Sequence, residues 1–383
     1  MKYVLVSTYP KEGTQNIGDK LIEMSTADAI RSFDPTAEIS TVWRAEDWAT
    51  VKDTIADADH LIFACLAIRR NMHTIYPYLH HILGSGVPVS VIAAGTNLQI
   101  ASPDMFKRGF TAADLDLLKR LSEAAEVFTT RGVLSQAFCD EQGYAGARFS
   151  GDVAFLDSRY DGWTFSRTER IERIAISDPH HGEVYVPVFR TLVTVLRKLF
   201  PQARIDCALH GVNPAIEAIC SGIGVAVHPI YLEPETGLDI YEKYDLHAGF
   251  RVHGHVSALK RRIPSYLLEQ DGRGADYGAT LSRKITVPCY RAAQPAAEPR
   301  AVAVQAYQAL IARLVRPTPR SVGPAKAKRF SAPSAAATFL GALIAQDARE
   351  GFSRFDGLEA DIMSFNNRTR AAIKQVCAGR STP

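Results

Sequence analysis

The sequence predicts an α/β protein with two domains, each built around a parallel sheet. The chain has 383 residues, which is too long for a single small domain. Its residues are 46% hydrophobic and 22% charged, values that are typical of soluble globular proteins. Short apolar runs alternate with segments of helical spacing over most of the chain, and this alternation is the pattern of βαβ units.

Five strands are predicted in each of two domains, which cover residues 1–165 and 166–290. In the N-terminal domain the apolar runs lie at residues 2–8, 38–42, 60–67, 87–93 and 126–130. In the C-terminal domain the runs lie at residues 173–177, 204–209, 225–229, 249–253 and 265–269. The repeated pattern indicates two Rossmann-like domains in tandem.

A tail rich in alanine, proline, arginine and lysine follows at residues 291–383. We expect a linker that contains one helix at residues 302–315, and then two helices at residues 335–350 and 358–376. The tail therefore combines a linker with a helical end.

The charge of the chain is uneven. The tail holds 14 Lys and Arg against 6 Asp and Glu, whereas residues 1–290 hold 30 against 35. A solvated linker is the simpler interpretation of this excess. The alternative is a peripheral contact with an anionic membrane surface through Lys326, Lys328 and Arg329 and the uncharged stretch 331–346. We expect no nucleic acid partner.

Several classes of protein are disfavoured. No uncharged apolar run reaches the roughly 18–20 residues that a membrane span needs, and the N-terminal run is too short for a signal peptide. We expect a cytoplasmic protein, with any membrane contact at the inner face. The six cysteines lack metal-ligand spacing, so we expect reduced thiols, no disulfides and no bound metal. Dinucleotide-binding GxGxxG, Walker A, HExxH and GxSxG signatures are also absent.

Histidines mark the ends of the C-terminal strands. Four of the five predicted strands end in or run into histidine: His180 with His181, His210, His228, and His253 with His255. The carboxyl ends of parallel strands form the ligand-binding edge of such a sheet, so we expect these side chains to converge on one cleft. Each histidine alone is more often structural.

Residues 249–273 form the most informative segment. We expect a strand that ends at residues 251–253 and a helix that begins near His255, with Gly254 allowing close approach of a ligand. The helix N-terminus together with Arg251 and His253 forms an anion site, whereas the structural alternative is a plain turn with a surface arginine. We expect Arg251→Ala to weaken binding of the anion with little loss of stability.

The N-terminal domain contributes its own candidates. Asn16 and Asp19 precede a predicted helix, and Asp19 is either an N-cap or a ligand contact. Arg131 ends a predicted strand, Ser135 lies one helical turn beyond it, and both are expected at the cleft edge, with Asp152 shortly after.

Together these segments resemble the polysaccharide pyruvyl transferase family. The matching elements span about residues 1–280 and are Asn16-Ile17-Gly18-Asp19, Arg131 with Ser135, Asp152-Val153-Ala154, Gly249-Phe250-Arg251-Val252-His253, Pro264, and Asp271-Gly272-Arg273. One departure is that Ala64-Cys65-Leu66-Ala67 replaces the glycine-rich turn that is expected after the third strand.

The resemblance implies a two-domain fold similar to that of GT-B glycosyltransferases. It also implies phosphoenolpyruvate as donor and as co-substrate without a further cofactor. The acceptor is then a saccharide of a cell-surface polysaccharide or exopolysaccharide, or its precursor, which can be lipid-linked. The acceptor side is expected in the N-terminal domain and the donor side in the C-terminal domain.

The expected roles follow from this donor and from side-chain chemistry. Phosphoenolpyruvate carries a carboxylate and a phosphate, which suit arginine, and histidine can donate or accept a proton near neutrality. The donor-binding candidates are Arg251, His253, Gly254, Arg131 and His180. The catalytic candidates are His253, His210 and Asp19, and the acceptor-binding candidates are Asn16, Asp19, Asp271 and Arg273. A glycosyltransferase that uses a nucleotide sugar and a non-catalytic saccharide-binding protein remain the alternatives.

Overall fold

Two parallel sheets organise the chain. A computed structural model describes residues 1–10, 12, 15–96, 110–165, 170–293 and 330–379. The strands are β1 (Lys2–Ser7), β2 (Glu38–Trp43), β3 (His60–Ala64), β4 (Ala67–Ile68), β5 (Val89–Thr96), β6 (Ala125–Thr130), β7 (Ala147–Phe149), β8 (Arg173–Ser177), β9 (Arg204–Ala208), β10 (Ala226–His228), β11 (Leu246–Gly249), β12 (Ser265–Glu269), β13 (Thr286–Pro288), β14 (Ala292–Ala293) and β15 (Phe330–Ser331).

Helices connect these strands. They are α1 (Ile17–Phe33), α2 (Trp48–Ala56), α3 (Met72–Ile75), α4 (Leu79–Gly84), α5 (Ala112–Ala124), α6 (Val133–Glu141), α7 (Gly182–Leu199), α8 (Pro214–Ile223), α9 (Val252–Lys260), α10 (Gly272–Thr280), α11 (Ala335–Arg349) and α12 (Leu358–Cys377).

The first sheet has the strand order β2-β1-β3-β5-β6-β7, and the short β4 pairs with β5. The second sheet has the order β10-β9-β8-β11-β12-β13. All pairs in both sheets are parallel. The inner strands β3, β5, β11 and β12 are buried along their whole length, as expected for sheets with helices on both faces. The predicted α/β fold with two parallel sheets is therefore confirmed.

The sequence does not predict β7 and β13, three-residue strands that each lie at one edge of a sheet. Strand β14 pairs with β15 in a separate antiparallel ladder. These short elements carry too few apolar residues to form a recognisable period.

The fourth strand of the C-terminal domain ends earlier than predicted. The prediction places a strand at residues 249–253, whereas β11 gives way to helix α9 within that range. The Phe250 amide donates to both the carbonyl and the hydroxyl of Ser177, at 3.3 Å and 3.1 Å, and the Arg251 amide donates to the same hydroxyl at 3.1 Å, so the pairing with β8 stops here. His253 therefore lies in the first turn of a helix rather than at the end of a strand.

The two C-terminal helices pack on different parts of the molecule. Helix α11 packs on α7 and buries Leu340 and Ile344 completely, whereas Phe339 is exposed. Helix α12 returns to the first sheet, where Ile373 and Val376 join its core. Leu340 and Ile344 are therefore not available to a membrane surface.

Part of the predicted tail cannot be compared with the structure. The predicted helix at residues 302–315 and the basic residues 326–329 lie outside the described residues. Within the described ranges, no helix combines the length and the apolar character that crossing a bilayer requires.

Candidate active site

The carboxyl ends of the two sheets meet at a cleft that holds two adjoining cavities. The first, which we call the N-domain cavity, has a volume of about 300 Å³ and is lined mainly by residues that follow the strands of the first sheet. The second, which we call the C-domain cavity, is narrower and is lined by residues around the N-termini of α9 and α10. The two cavities share four lining residues: Asn16, His180, His253 and Arg273.

His253 lies where the two domains touch. It occupies the first turn of α9, and that helix has no side-chain cap, so its first amides are free to face an anion. A Cβ atom on Gly18 would lie 2.3 Å from the His253 Nδ1 atom, so the N-terminus of α1 can approach only with glycine at this position. The amide of Ile17 also donates to the His210 carbonyl at 3.1 Å. The two helix N-termini therefore face each other across His253.

The environment of His253 favours a neutral ring. The residue is 5% exposed, and burial lowers its pKa, although the nearby carboxylates of Asp152 and Asp19 act in the opposite direction. Its Nε2 atom lies 4.0 Å from the Asp152 carboxylate and has no hydrogen-bond partner among the described residues. This nitrogen is thus available to a ligand in the cleft.

Arg251 is held by a buried carboxylate. Its guanidinium donates to both oxygens of Asp178, at 2.9 Å and 2.6 Å, and its Nη1 atom donates to the Nδ1 atom of His180 at 3.3 Å. Asp178 also accepts from the amide of His210 at 2.9 Å and from the side chain of Asn213 at 2.8 Å. Arg251 lines the C-domain cavity in a fixed position, and its charge is already paired.

Three of the predicted histidines converge on the cleft. His180 and His253 line both cavities, and His210 lines the C-domain cavity. Partial burial and the charges of Arg251 and Arg273 lower the pKa of His180 to about 4. His210 is fully buried and shares a hydrogen bond of 2.7 Å with the Tyr241 hydroxyl, and burial lowers its pKa.

The three remaining strand-end histidines, His181, His228 and His255, do not line either cavity. His228 lies 3.7 Å from Asp206, and His255 is buried with its Nδ1 atom 2.7 Å from the Ser265 hydroxyl. The expectation that all four strand ends face one cleft is wrong for these residues. His255 points into the domain because it lies within helix α9, two residues beyond His253.

Gly254 serves packing inside the C-terminal domain. An added Cβ atom would lie 2.8 Å from the Tyr241 hydroxyl and 3.1 Å from the His210 Nε2 atom. Neither cavity is lined by Gly254. The close approach that the glycine permits is to buried side chains.

On the other side of the cleft, Arg131 follows β6 and lies over Gly95. A Cβ atom on Gly95 would lie 2.2 Å from the Arg131 Nε atom, so the glycine makes room for the guanidinium. Arg131 is 6% exposed and donates to the Thr96 carbonyl at 3.3 Å, while its Nε atom has no partner in the described part of the chain. Arg131 lines the N-domain cavity.

Asn16, rather than Asp19, caps helix α1. The Asn16 side chain accepts from the Gly18 amide and donates to Asp19, both at 3.3 Å. Asp19 lies inside the first turn and lines the N-domain cavity. Of the two roles that the sequence allows for Asp19, N-cap and ligand contact, the structure excludes the N-cap.

Asp152 and Cys65 lie at the base of the cleft. Asp152 is fully buried and accepts a hydrogen bond from the Tyr277 hydroxyl at 2.6 Å, and the Cys65 thiol lies 3.8 Å from it. Cys65 occupies the turn where glycine was expected, with a positive φ of 54°. A non-glycine residue thus keeps a left-handed turn there. Burial raises the pKa of the Cys65 thiol, and the Asp152 charge acts in the same direction.

Ser135 does not reach the cleft edge as predicted. Its hydroxyl donates to the carboxylate of Asp276 at 2.5 Å, and the amide of Leu134 donates to the same carboxylate at 2.8 Å. Asp276 lies in helix α10, so this carboxylate caps the N-terminus of α6 across the domain boundary. Ser135 thus joins the two domains.

Asp271 and Arg273 form a charge pair at the N-terminus of α10. The carboxylate caps the helix by accepting from the Arg273 amide at 2.9 Å, and the Arg273 guanidinium lies 2.6 Å from it. Burial raises the pKa of Asp271, but the charge and hydrogen bonds of Arg273 outweigh it and the net pKa is lowered. Asp271 lines the C-domain cavity, and Arg273 lines both.

Two arginines that line the cleft, Arg44 and Arg69, are not among the residues predicted from the sequence. Arg44 directly follows β2 and Arg69 directly follows β4, and both line the N-domain cavity together with Trp43. A charged residue immediately after a predicted strand was the available signal for Arg44. Arg69 gave no such signal, because its strand has only two residues.

A larger cavity, of about 690 Å³, lies apart from this cleft beside the C-terminal half of α1. None of the predicted site residues lines it. Several of its charged side chains are paired with one another: Lys260 and Arg159 with Asp157, and Arg261 with Asp239. Among the described residues, no group of three His, Cys, Asp or Glu side chains could hold a metal ion.

The fold and the cleft define a two-domain α/β protein with a polar site between the domains. A family model described as polysaccharide pyruvyl transferase matches residues 16–272. The chain belongs to this family, which is a family of transferases. A comparison with curated protein sequences gives no match.

A solved structure of another protein shares the architecture. The UDP-GlcNAc 2-epimerase from Neisseria meningitidis, bound to UDP-GlcNAc, is 12% identical and matches with a TM-score of 0.54, covering 99% of this chain and 100% of the epimerase. A UDP co-structure of MnaA from S. aureus is 10% identical, with a TM-score of 0.45 and coverage of 81% and 88%. The expected two-domain arrangement similar to GT-B proteins, with a C-terminal helix, is confirmed.

Proposed function

We propose that the protein forms a pyruvate ketal on a saccharide of a cell-surface polysaccharide or its precursor, with phosphoenolpyruvate as donor. One observation carries this proposal: Arg131 from one domain and His253 and Arg273 from the other line the same cavity. Guanidinium groups and a helix N-terminus are suited to a small molecule that carries both a carboxylate and a phosphate.

The donor in this proposal lies at the residues that the two cavities share. Arg131 contacts it from the first domain, and Arg251, beside the shared residues, contacts it from the second. Because Asp178 fixes the Arg251 guanidinium, binding of the donor requires little ordering of that side chain. His180 accepts from Arg251 and is neutral near pH 7, since its pKa is about 4.

The reaction needs an acid, a base and an environment without water. A proton adds to the methylene carbon of phosphoenolpyruvate, and one sugar hydroxyl attacks C2. The C2–phosphate bond then breaks, and a second hydroxyl closes the ketal. One of the two hydroxyl protons balances the proton added to the methyl group, and the other leaves with the phosphate. Water must be excluded because it can capture the cationic carbon in place of the sugar.

His253 is our choice for the acid, and Asp19 is our choice for the base. His253 lines both cavities, and its Nε2 atom has no hydrogen-bond partner among the described residues. The negative charges of the donor raise the pKa of the ring from its lowered value in the empty site. Asp19 lines the same cavity and can orient or deprotonate a hydroxyl. His210 is an alternate, although its ring is held by Tyr241.

The acceptor in this proposal approaches from the first domain, beside Asn16 and Asp19. Arg273 lines both cavities and can contact either substrate, while its partner Asp271 lines the C-domain cavity. A lipid-linked acceptor is compatible with this arrangement, since the sugar alone must enter the cleft.

The decisive assay combines the full chain, phosphoenolpyruvate and a panel of glycan acceptors. We expect release of phosphate together with an acceptor mass gain of one pyruvic acid less one water. Phosphate release accompanied only by free pyruvate contradicts the proposal.

A glycosyltransferase that uses a nucleotide sugar is the second candidate. It is favoured by the fold shared with an epimerase that was crystallised with UDP-GlcNAc. Thermal-shift measurements with uridine diphosphate and with phosphoenolpyruvate separate the two candidates. Stabilisation by the nucleotide alone favours the glycosyltransferase, and saccharide binding without turnover of either donor favours a non-catalytic binding protein.

A further inference from the structure

The N-domain cavity contains more positive charge than the donor needs. Four arginines line it, namely Arg44, Arg69, Arg131 and Arg273, and Asp19 is the one acidic residue among its described lining. Arg273 is paired with Asp271. Within the described ranges, no carboxylate lies within salt-bridge distance of the other three arginines.

Arg69 is held in an unfavourable place for an isolated cation. Its side chain is half-buried, and burial lowers its pKa, as do the charges of Arg44 and Arg273. Like charges brought together with loss of water cost free energy unless an anion binds between them. The arrangement is therefore typical of a ligand site.

The two arginine segments are anchored by one buried tyrosine. The Tyr76 hydroxyl accepts a hydrogen bond from the Ala67 amide at 2.8 Å, which fixes the strand that ends before Arg69. The guanidinium of Arg44 lies over the Tyr76 ring at 6.0 Å. Tyr76 is 1% exposed, so both arginines extend from a rigid support.

The position of these arginines separates them from the proposed donor. Arg251 lines the C-domain cavity but not the N-domain cavity. Arg44 and Arg69 line the N-domain cavity but not the C-domain cavity. The reacting atoms must lie between them, at the shared residues such as His253. A group bound at Arg44 and Arg69 is thus on the far side of the reaction centre from Arg251.

We propose that Arg44 and Arg69 form a subsite for an anionic group carried by the saccharide acceptor. This inference rests on the proposed function, since it assigns one side of the cleft to each substrate. The group is a carboxylate or a phosphate, because both accept paired hydrogen bonds from guanidinium. A uronic acid supplies the first, and a sugar linked through phosphate supplies the second. Trp43, half-buried beside Arg44, offers an aromatic surface to the sugar ring.

The test measures binding to the full chain by NMR titration with phosphoenolpyruvate at saturation. The probes are N-acetylglucosamine 1-phosphate, glucuronic acid and neutral N-acetylglucosamine. We expect at least one charged sugar to bind roughly 10-fold to 100-fold more tightly than the neutral sugar, as charge-assisted contacts allow. The charged sugar that shows this preference identifies the source of the anion.

Matched variants assign the preference to the subsite. Arg69→Gln and Arg44→Gln should each remove most of it, whereas Arg70→Gln, at an exposed neighbour outside the cavity lining, should retain it. Equal binding of charged and neutral sugars, no binding of either charged sugar, or an unchanged preference in Arg69→Gln overturns the inference. Displacement of the charged sugar by phosphoenolpyruvate also overturns it, because the arginines then belong to the donor site.

A separate measurement of pyruvate transfer distinguishes failure of the subsite from failure of the proposed function. Selective binding of a charged sugar without transfer from phosphoenolpyruvate to any acceptor contradicts the proposed function but leaves the anion subsite. Transfer to neutral acceptors with no charge preference contradicts the subsite but leaves the proposed function.

Discussion

The two sides of the cleft use arginine in different ways. On the C-terminal side, Arg251 is paired with Asp178 and Arg273 with Asp271. On the N-terminal side, Arg131 and Arg69 line the cavity without a carboxylate partner among the described residues. The charges of Arg251 and Arg273 on the C-terminal side are therefore neutralised without a ligand, whereas those of Arg131 and Arg69 on the N-terminal side are not.

This difference indicates a division of labour. A guanidinium that is held by a buried carboxylate has a fixed orientation, so it can position a small donor at low entropic cost. A guanidinium without a partner contributes its full charge to a ligand. The arginines of the C-terminal side therefore orient the donor, and those of the N-terminal side attract an anionic ligand.

The largest effect is expected at His253, where the two sides meet. We expect His253→Asn to lower kcat by about 100-fold to 10,000-fold, the usual contribution of a general acid, with the fold retained. The measurement is phosphate release at saturating phosphoenolpyruvate. His228→Asn is the control, since His228 lies outside both cavities, and it should keep the full rate. A rate within a few-fold of the wild type for His253→Asn excludes it as the acid.

The second-largest effect is expected at Arg251, on the C-terminal side of the cleft. Arg251→Ala should weaken phosphoenolpyruvate binding at least 10-fold, since truncating one partner of a charge-assisted contact costs about 2–5 kcal/mol. The sequence suggested little loss of stability, but the structure shows that Asp178 would remain buried without its counterion. We therefore expect the free energy of unfolding to fall by roughly 3 kcal/mol.

A double variant separates binding from stability. Adding Asp178→Asn to Arg251→Ala removes the unpaired charge and should recover part of the stability while donor binding stays weak. Calorimetry and denaturant titration measure the two quantities. If Arg251→Ala binds phosphoenolpyruvate as the wild type does, Arg251 acts only in the fold.

The sequence predicts features that depend on one continuous segment, such as strand bounds, but not contacts between distant segments. Strands β8 and β12 have the predicted bounds, because their apolar runs end sharply in polar residues. The pairing of Arg251 with Asp178 joins the ends of two different strands, so neither local sequence indicates it. The sequence likewise predicts Ser135 at the cleft edge, because its partner Asp276 lies in the other domain and the local sequence does not indicate it.

Acid should destabilise the C-terminal side. His210, His247 and His255 are at most 1% exposed, and burial lowers the pKa of each, that of His247 to about 3. The unfolded chain binds protons near pH 6.5, so it gains protons first as the pH falls. The free energy of unfolding should therefore decrease below about pH 6.5, by up to roughly 1.4 kcal/mol per pH unit for each histidine.

Denaturant titrations at pH 7.5 and pH 5 measure this decrease. His247→Gln keeps a polar side chain between Ser177 and Ser265 and should reduce the decrease by about one histidine's share. Equal free energies of unfolding at the two pH values would show that these rings are protonated without cost.

The smallest effect is expected at Gly18, which sets the distance between the two sides. A Cβ atom there would lie 2.3 Å from the His253 Nδ1 atom, so His253 must turn or the helices must separate. We expect Gly18→Ala to lower the free energy of unfolding by about 1–3 kcal/mol, as overpacking does, and to reduce the rate of transfer. Gly222→Ala is the control, because nothing lies within 4 Å of a Cβ atom there and the change only favours its helix. If Gly18→Ala keeps both stability and rate, His253 moves freely, and the two sides of the cleft are not held at a fixed distance through this contact.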